Sequence, residues 1–242
     1  MKIAVMIYGP PGAGKGTQAN LLAHKLGLIH FDTGKYLESV VHDPANENDP
    51  MVQKERILFD TGKLLTPSWI LGVVKEAVSN IGKTNFGIVF SGSPRTLLEA
   101  EGLLPLLEKI YDKKNVIPVV LTVKPETSIE RNSSRLVCDL CSGVMLASFH
   151  LLPITAPACP VCGSAFRRRS LDNPETIKVR LKEYEERTVP IFAFLKERGY
   201  NIAEIDGERS PKEVFQSILQ ALRDRDSRPQ GPPRSGVRNT IQ

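Results

Sequence analysis

The 242-residue sequence has no apolar stretch long enough to cross a bilayer, and it holds only four cysteines and four histidines. A membrane-spanning helix needs about 20 consecutive apolar residues. The opening MKIAVMIYGPPG carries one lysine and breaks at Gly9-Pro10-Pro11, which is too short even for a secretory signal. A cytoplasmic location is therefore expected, where the cysteines are metal ligands or free thiols sooner than disulfides. His24, His30, His42 and His150 are scattered, and each reads as an ordinary surface or core histidine. There is no internal repeat. With 41% hydrophobic and 24% charged residues, the composition excludes collagen, coiled coil and wholesale disorder and suffices for one sizeable core. The formal charge of +5 hints at nucleic acid, but residues 223–242 hold five arginines against two aspartates and supply three of those charges. The rest of the chain is only slightly basic.

What is present is an alternation of buried strands and amphipathic helices. Residues 2–8 form a continuous apolar run closed by Gly-Pro-Pro-Gly, the pattern of a parallel strand covered on both faces. Lys15 to Leu26 has apolar residues at helical spacing and stops at Gly27. Further strands are expected at 87–91, 116–123 and 200–205, and helices at 67–81, 96–111, 125–136, 174–198 and 211–225. This order predicts an α/β fold, a parallel sheet flanked by helices. Two segments break the rhythm. Residues 34–65 read as a small, mostly helical insertion, and 137–170 are rich in Cys, Pro and Gly. The end, 224–242, is Pro, Gly, Arg and Ser with almost nothing to bury and reads as a disordered basic tail.

The segment Gly9-Pro-Pro-Gly-Ala-Gly14-Lys15-Gly16-Thr17 matches the phosphate-loop pattern, after a strand and opening a helix. Glycines let successive N–H groups turn inward, the helix N-terminus adds partial positive charge, and Lys15 reaches the outer phosphates. A ligand-free glycine turn does not require strand, lysine and helix together. Gly16 stands where a Ser or Thr usually follows the lysine, and the hydroxyl comes one place later, at Thr17.

The string GPPGAGKGTQA resembles the phosphate loop of the adenylate kinase family, and other landmarks follow in the family's order. Asp32-Thr33-Gly34 is similar to its S-T-G, the 60–65 segment DTGKLL to its D-x-G-K-L-V, and the 92–96 segment GSPRT to its G-F-P-R-T. Arg131 and Arg135 sit where arginines enter the family's lid, Arg169 and Arg180 where they leave it, and Asp206-Gly207 resembles the turn beside the ATP base. The resemblance spans residues 1 to about 223 and implies a P-loop core of 1–33, 66–136 and 171–223, an NMP-binding domain of 34–65 and a lid of 137–170. It implies Mg²⁺-dependent phosphoryl transfer from ATP to AMP, giving two ADP, by a monomer. For ATP it implies Gly12, Ala13, Gly14, Lys15, Gly16, Thr17, Arg131, Arg135 and Arg209, with Arg131 packed on the base. For the monophosphate it implies Thr33, Lys35, Lys63, Leu65, Gly92, Arg95, Glu99, Arg169 and Arg180. Lys15, Arg95, Arg135, Arg169 and Arg180 are the expected catalytic set. The cations make sense on charge alone, because two nucleotides held end to end bring together about six or more negative charges.

Cys138-x2-Cys141 and Cys159-x2-Cys162 have the spacing of a tetrathiolate zinc site. A nucleic-acid-binding zinc ribbon is one reading, helped by the 167–169 arginine run; the zinc-bearing lid of many bacterial adenylate kinases is what the position between the two arginine pairs resembles. Four thiolates leave no open position for a catalytic water, so the zinc is structural. His150 is a weak substitute ligand.

The acceptor side departs from the family pattern. Lys35 and Glu38 reverse the usual order of charges on their helix; they either put a lysine on the acceptor phosphate or form an exposed i,i+3 pair. Glu99 replaces the glutamine that reads the acceptor adenine and could accept from guanine instead. Ser91 stands where an aspartate usually orders water around Mg²⁺, and Leu171 replaces an aspartate at the lid hinge. A kinase preferring GMP or a pyrimidine monophosphate, and a non-catalytic ATP-binding module, are therefore the alternatives.

Overall fold

The computed structural model describes residues 2–138, 140, 158–159, 162–168 and 172–224. Cys141, His150, Arg169, Leu171 and the tail from 225 onward lie outside the described residues. The first strand, β1 (Ala4–Tyr8), is wholly buried, and the helix α1 (Lys15–Leu26) follows its glycine turn and ends at Gly27, as the periodicity predicts. Next come β2 (Leu28–Phe31), α2 (Thr33–Val41), α3 (Pro50–Asp60), α4 (Pro67–Gly82) and β3 (Gly87–Phe90). Then follow α5 (Leu97–Tyr111), β4 (Val116–Thr122) and α6 (Pro125–Ser133). The short strands β5 (Val137–Cys138) and β6 (Phe166–Arg167) pair antiparallel. The described chain ends with α7 (Pro174–Glu183), α8 (Pro190–Glu197), β7 (Ala203–Asp206) and α9 (Pro211–Asp224).

The main sheet has the order β2-β3-β1-β4-β7 with every pair parallel. Strand periodicity builds two cores from one strand: Ala4, Met6 and Tyr8 face the layer that includes α4, α5 and α8, while Ile3, Val5 and Ile7 face α1 and α9. Connections run from β1 to the edge strand β2, return to β3 beside β1, then cross to β4 and β7. The strand order thus reverses around β1, and the crevice beyond the carboxyl ends of its strands is where such sheets bind ligands.

Four expectations are corrected. Residues 28–31 form an unforeseen edge strand; four residues starting straight after Gly27, with His30 in the middle, make too short and too polar a run to read as one. The last strand lies at 203–206, not 200–205, and α6 stops at Ser133. The expected helix over 174–198 is three pieces, with a π-turn at Tyr184–Thr188 joining α7 to α8. Pro190 explains the break: it has no N–H to give to Glu186 O, and the preceding Val189 N–H reaches back five residues to Tyr184 O at 3.0 Å.

Candidate active site

The phosphate loop is shaped by glycines at positions other residues avoid. Gly12 has φ +78° and Gly14, which caps α1, has φ +91°. Helix α6 braces the loop from behind: Ser128 Oγ donates to Pro11 O at 2.5 Å, and Asn132 Nδ2 donates to Ser128 O at 2.7 Å. A Cβ on Gly12 would stand 2.7 Å from Asn132 Nδ2 and 2.9 Å from Ser128 O. Gly12→Ala should therefore cost about 2 kcal/mol or more from backbone strain and overlap together. The expected drop in melting temperature is about 4–8 °C, and an unchanged melt would show that the loop is not held as described.

Lys15 Nζ donates to Gly9 O at 2.7 Å and Pro10 O at 2.8 Å, so the lysine lies over its own loop. Burial pushes its pKa well below the ordinary lysine value, and Arg95, Arg180 and Arg135 push in the same direction. Arg95 is fixed by Nε to Gly92 O at 2.8 Å. Arg135 forks onto Asp172, with Nε to Oδ2 at 2.9 Å and Nη2 to Oδ1 at 2.5 Å, and Arg180 Nη1 lies 3.7 Å from the same Oδ1. Asp172, whose side chain is only 2% exposed, is thus a shared counter-ion for two of the expected catalytic arginines. Sequence reasoning missed it, although its place at the mouth of α7 between two flagged arginines was a usable signal.

These groups surround one cavity of about 420 Å³ at the carboxyl end of the sheet. Its walls include Gly12, Ala13, Gly14, Lys15, Gly16 and Thr17, the acceptor-side residues Thr33, Lys35, Lys63, Leu65, Gly92, Arg95 and Glu99, and Arg131, Arg135, Arg180 and Arg209. Of the expected nucleotide-binding residues, Arg169 alone lies outside the described residues. Arg131 is also tied to the backbone around it. Its guanidinium donates to Gly207 O at 2.8 Å and Glu208 O at 3.3 Å and approaches Gly12 O at 3.5 Å, tying the phosphate loop to the 207 turn.

Glu99 also has work that the residue pattern concealed. Its Oε1 accepts from Thr96 Oγ1 at 3.0 Å and Oε2 from the Arg95 N–H at 2.9 Å, while its own N–H donates to Thr96 Oγ1 at 3.3 Å. This variant of the capping box opens α5, with Glu99 taking the Arg95 N–H in place of that of the N-cap Thr96. Burial raises the Glu99 pKa above the usual carboxylate value, with the Arg95 and Thr96 donors opposing.

Next to the cavity, the Sγ atoms of Cys138, Cys159 and Cys162 lie within 4.8 Å of one another, although 20 residues separate Cys138 from Cys159 in the chain. Sulfurs around a tetrahedral zinc, at about 2.3 Å from the metal, stand about 3.8 Å apart, so the three thiols fit that ion.

A phosphate loop, a reversed parallel sheet and a ring of cations facing one cavity define a P-loop phosphoryl-transfer enzyme. The adenylate kinase family model matches residues 7–200, and the chain belongs to that family. It is 34% identical to an adenylate kinase of Elusimicrobium minutum over 219 residues, covering 90% of this chain and 97% of that one. It is 32% identical to one of Paracoccus denitrificans, covering 92% and 98%, and 31% identical to one of Zymomonas mobilis, covering 93% and 98%. Likeness over nine-tenths of the length favours a nucleoside monophosphate kinase over the zinc-ribbon and non-catalytic readings.

Proposed function

We propose that the cavity carries reversible phosphoryl transfer from MgATP to AMP, with Lys15, Arg95, Arg135, Arg169 and Arg180 as the catalytic cations. One observation supports this above the rest: four of those five cations face a single cavity in which burial and mutual repulsion already disfavour the Lys15 charge. Such a site gains most when polyanions enter it. Lys15 then leaves the carbonyls of Gly9 and Pro10 for the outer phosphates of ATP and stabilises charge on the migrating group. Arg95, held against Gly92, joins donor and acceptor phosphates, and Arg135 and Arg180 bring their guanidiniums from the Asp172 fork. The magnesium ion enters as part of the substrate and neutralises charge between the phosphates.

The phosphate-loop residues 12–17 with Arg131 and Arg209 take the ATP end. Thr33, Lys35, Lys63, Leu65, Gly92 and Glu99 take the acceptor. The capping box favours AMP, because each Glu99 oxygen already has a donor and one further donor, the adenine amino group, asks less than the paired N1–H and amino group of guanine. Residues 34–65 serve as the acceptor domain and 137–170 as the lid that excludes water from the donor. The protein acts as a cytoplasmic monomer; no described helix is long and apolar enough to cross a membrane. A coupled assay with AMP, GMP, CMP and UMP at equal MgATP tests the reading. AMP should give the highest kcat/KM, a GMP preference would overturn the role given to Glu99, and no turnover with any of the four would end the proposal.

Cys138, Cys159 and Cys162 would hold a zinc ion with Cys141 as the fourth ligand, and a bound zinc supplies folding energy rather than chemistry. Stripping the metal should expose 137–170 to proteolysis while the core stays resistant, read by mass spectrometry of the fragments. Equal resistance of the lid with and without metal would count against a structural ion.

A further inference from the structure

Three polar residues from three separate elements meet beside the cavity: Asn20 on α1 and Ser91 immediately after β3, which line it, and His30 on β2, which joins them. His30 Nδ1 lies 2.6 Å from Asn20 Oδ1, and His30 Nε2 lies 2.8 Å from Ser91 Oγ. With the Asn20 amide oxygen turned to Nδ1, the matching tautomer carries its proton there and presents the Nε2 lone pair to the Ser91 hydroxyl. Burial pushes the His30 pKa below its ordinary value, against a smaller raising effect of Asp32, which favours the neutral imidazole. A hydroxyl, a base in hydrogen-bond reach and a third group that fixes the base are the parts of an activated nucleophile. Ser91 is 7% exposed, and what it faces is the cavity that also contains Lys15.

The sheet puts this hydroxyl beside the phosphate loop. Met6 of β1 pairs with Phe90 of β3, so Ser91 directly follows the strand next to the one that feeds the loop, paired strands lying about 4.8 Å apart. The Asp32 carboxylate acts on both Lys15 and His30, which places the base and the phosphate-loop lysine around one neighbouring charge. Catalysis of transfer to AMP has no need of a seryl hydroxyl held against a base.

We infer that Ser91 is an internal phosphoryl acceptor, modified by bound ATP when the acceptor nucleotide is absent. Ser91 Oγ attacks the γ-phosphorus; the Oγ–P bond forms and the bond from that phosphorus to the β,γ-bridging oxygen breaks. ADP leaves with the electron pair, and the serine proton passes to His30 Nε2. The product is a phosphoserine in the cavity wall, and AMP suppresses its formation by taking the same group. The inference rests on the proposed use of the cavity for MgATP.

The full-length protein is incubated with MgATP alone, and a mass gain of one phosphoryl group is followed by intact-mass spectrometry and mapped by peptide sequencing; AMP turnover of the same sample is measured in parallel. Phosphate on Ser91, at a rate independent of protein concentration and reduced when AMP is added, is the expected result. Ser91→Ala should remove it, and His30→Gln, checked by its melting curve, should slow it by about 100-fold or more. An unmodified Ser91 in protein that turns over AMP overturns the inference and leaves the proposed function standing. An equal labelling rate in folded His30→Gln overturns it too. Loss of both turnover and labelling brings down the proposed function with it.

Discussion

Replacing Lys15 with methionine should lower the transfer rate by about 1000-fold, roughly 4 kcal/mol of transition-state stabilisation, while leaving the melting temperature nearly unchanged. The split follows from the way the lysine is held. In the absence of nucleotide its ammonium donates to Gly9 O and Pro10 O, and deleting those bonds leaves two carbonyls to find other donors. Against that, the substitution removes a buried positive charge repelled by Arg95, Arg180 and Arg135, and methionine keeps the chain's volume. The two effects oppose each other in the folded state. Nothing opposes the loss in the transition state, where a preorganised cation next to the migrating group is gone. Steady-state kinetics in both directions and a thermal melt of each protein provide the check. A variant retaining a tenth of the rate would mean that the arginines carry the charge without the lysine, and a large fall in melting temperature would mean that Lys15 is a structural residue.

The parts of the molecule that were legible in the sequence are those specified by short-range pattern. A buried run, a glycine turn and an amphipathic helix in succession fixed β1, the phosphate loop and α1, with the helix ending at Leu26 before Gly27. Spacing of cysteines in the chain anticipated three sulfurs that the fold brings within 4.8 Å. What was not legible depends on contacts between elements. β2 is a strand because β3 accepts it as a parallel partner from Leu28 to Phe31, and its own four residues do not announce that. The π-turn arises from a proline whose effect is felt one residue earlier, on the Val189 N–H. At the site, the arginines were visible by type and order, but their counter-ion was not. An aspartate before a helix reads as a capping residue until two guanidiniums from opposite ends of the lid segment are seen to meet on it. Ser91 and His30 behaved the same way, 61 residues apart in the chain and 2.8 Å apart in space.

Asp172→Ala should destabilise the nucleotide-free protein by roughly 2–4 kcal/mol, and bound polyphosphate should return most of that loss. Breaking a buried ion pair by deleting one partner costs about 3–5 kcal/mol; Arg135 and Arg180 are about one-fifth exposed, so the figure is reduced for water reaching them. Without the carboxylate, two guanidiniums and Lys15 face one another across the cavity with Arg95 close by, and an added anion takes the place the carboxylate held. Pyrophosphate should therefore raise the melting temperature of the variant by several degrees more than it raises that of the parent. Turnover should still fall, since the fork that sets the angle of Arg135 is lost and guanidiniums that merely bind phosphate are not aimed at the transition state. The two readouts separate the roles: anion-dependent recovery of stability reports charge balance, and a kcat that stays low at saturating nucleotide reports aim. Equal stabilisation of both proteins by pyrophosphate would sink the idea that Asp172 stands in for substrate charge, and an unchanged kcat would reduce it to a counter-ion with no part in positioning.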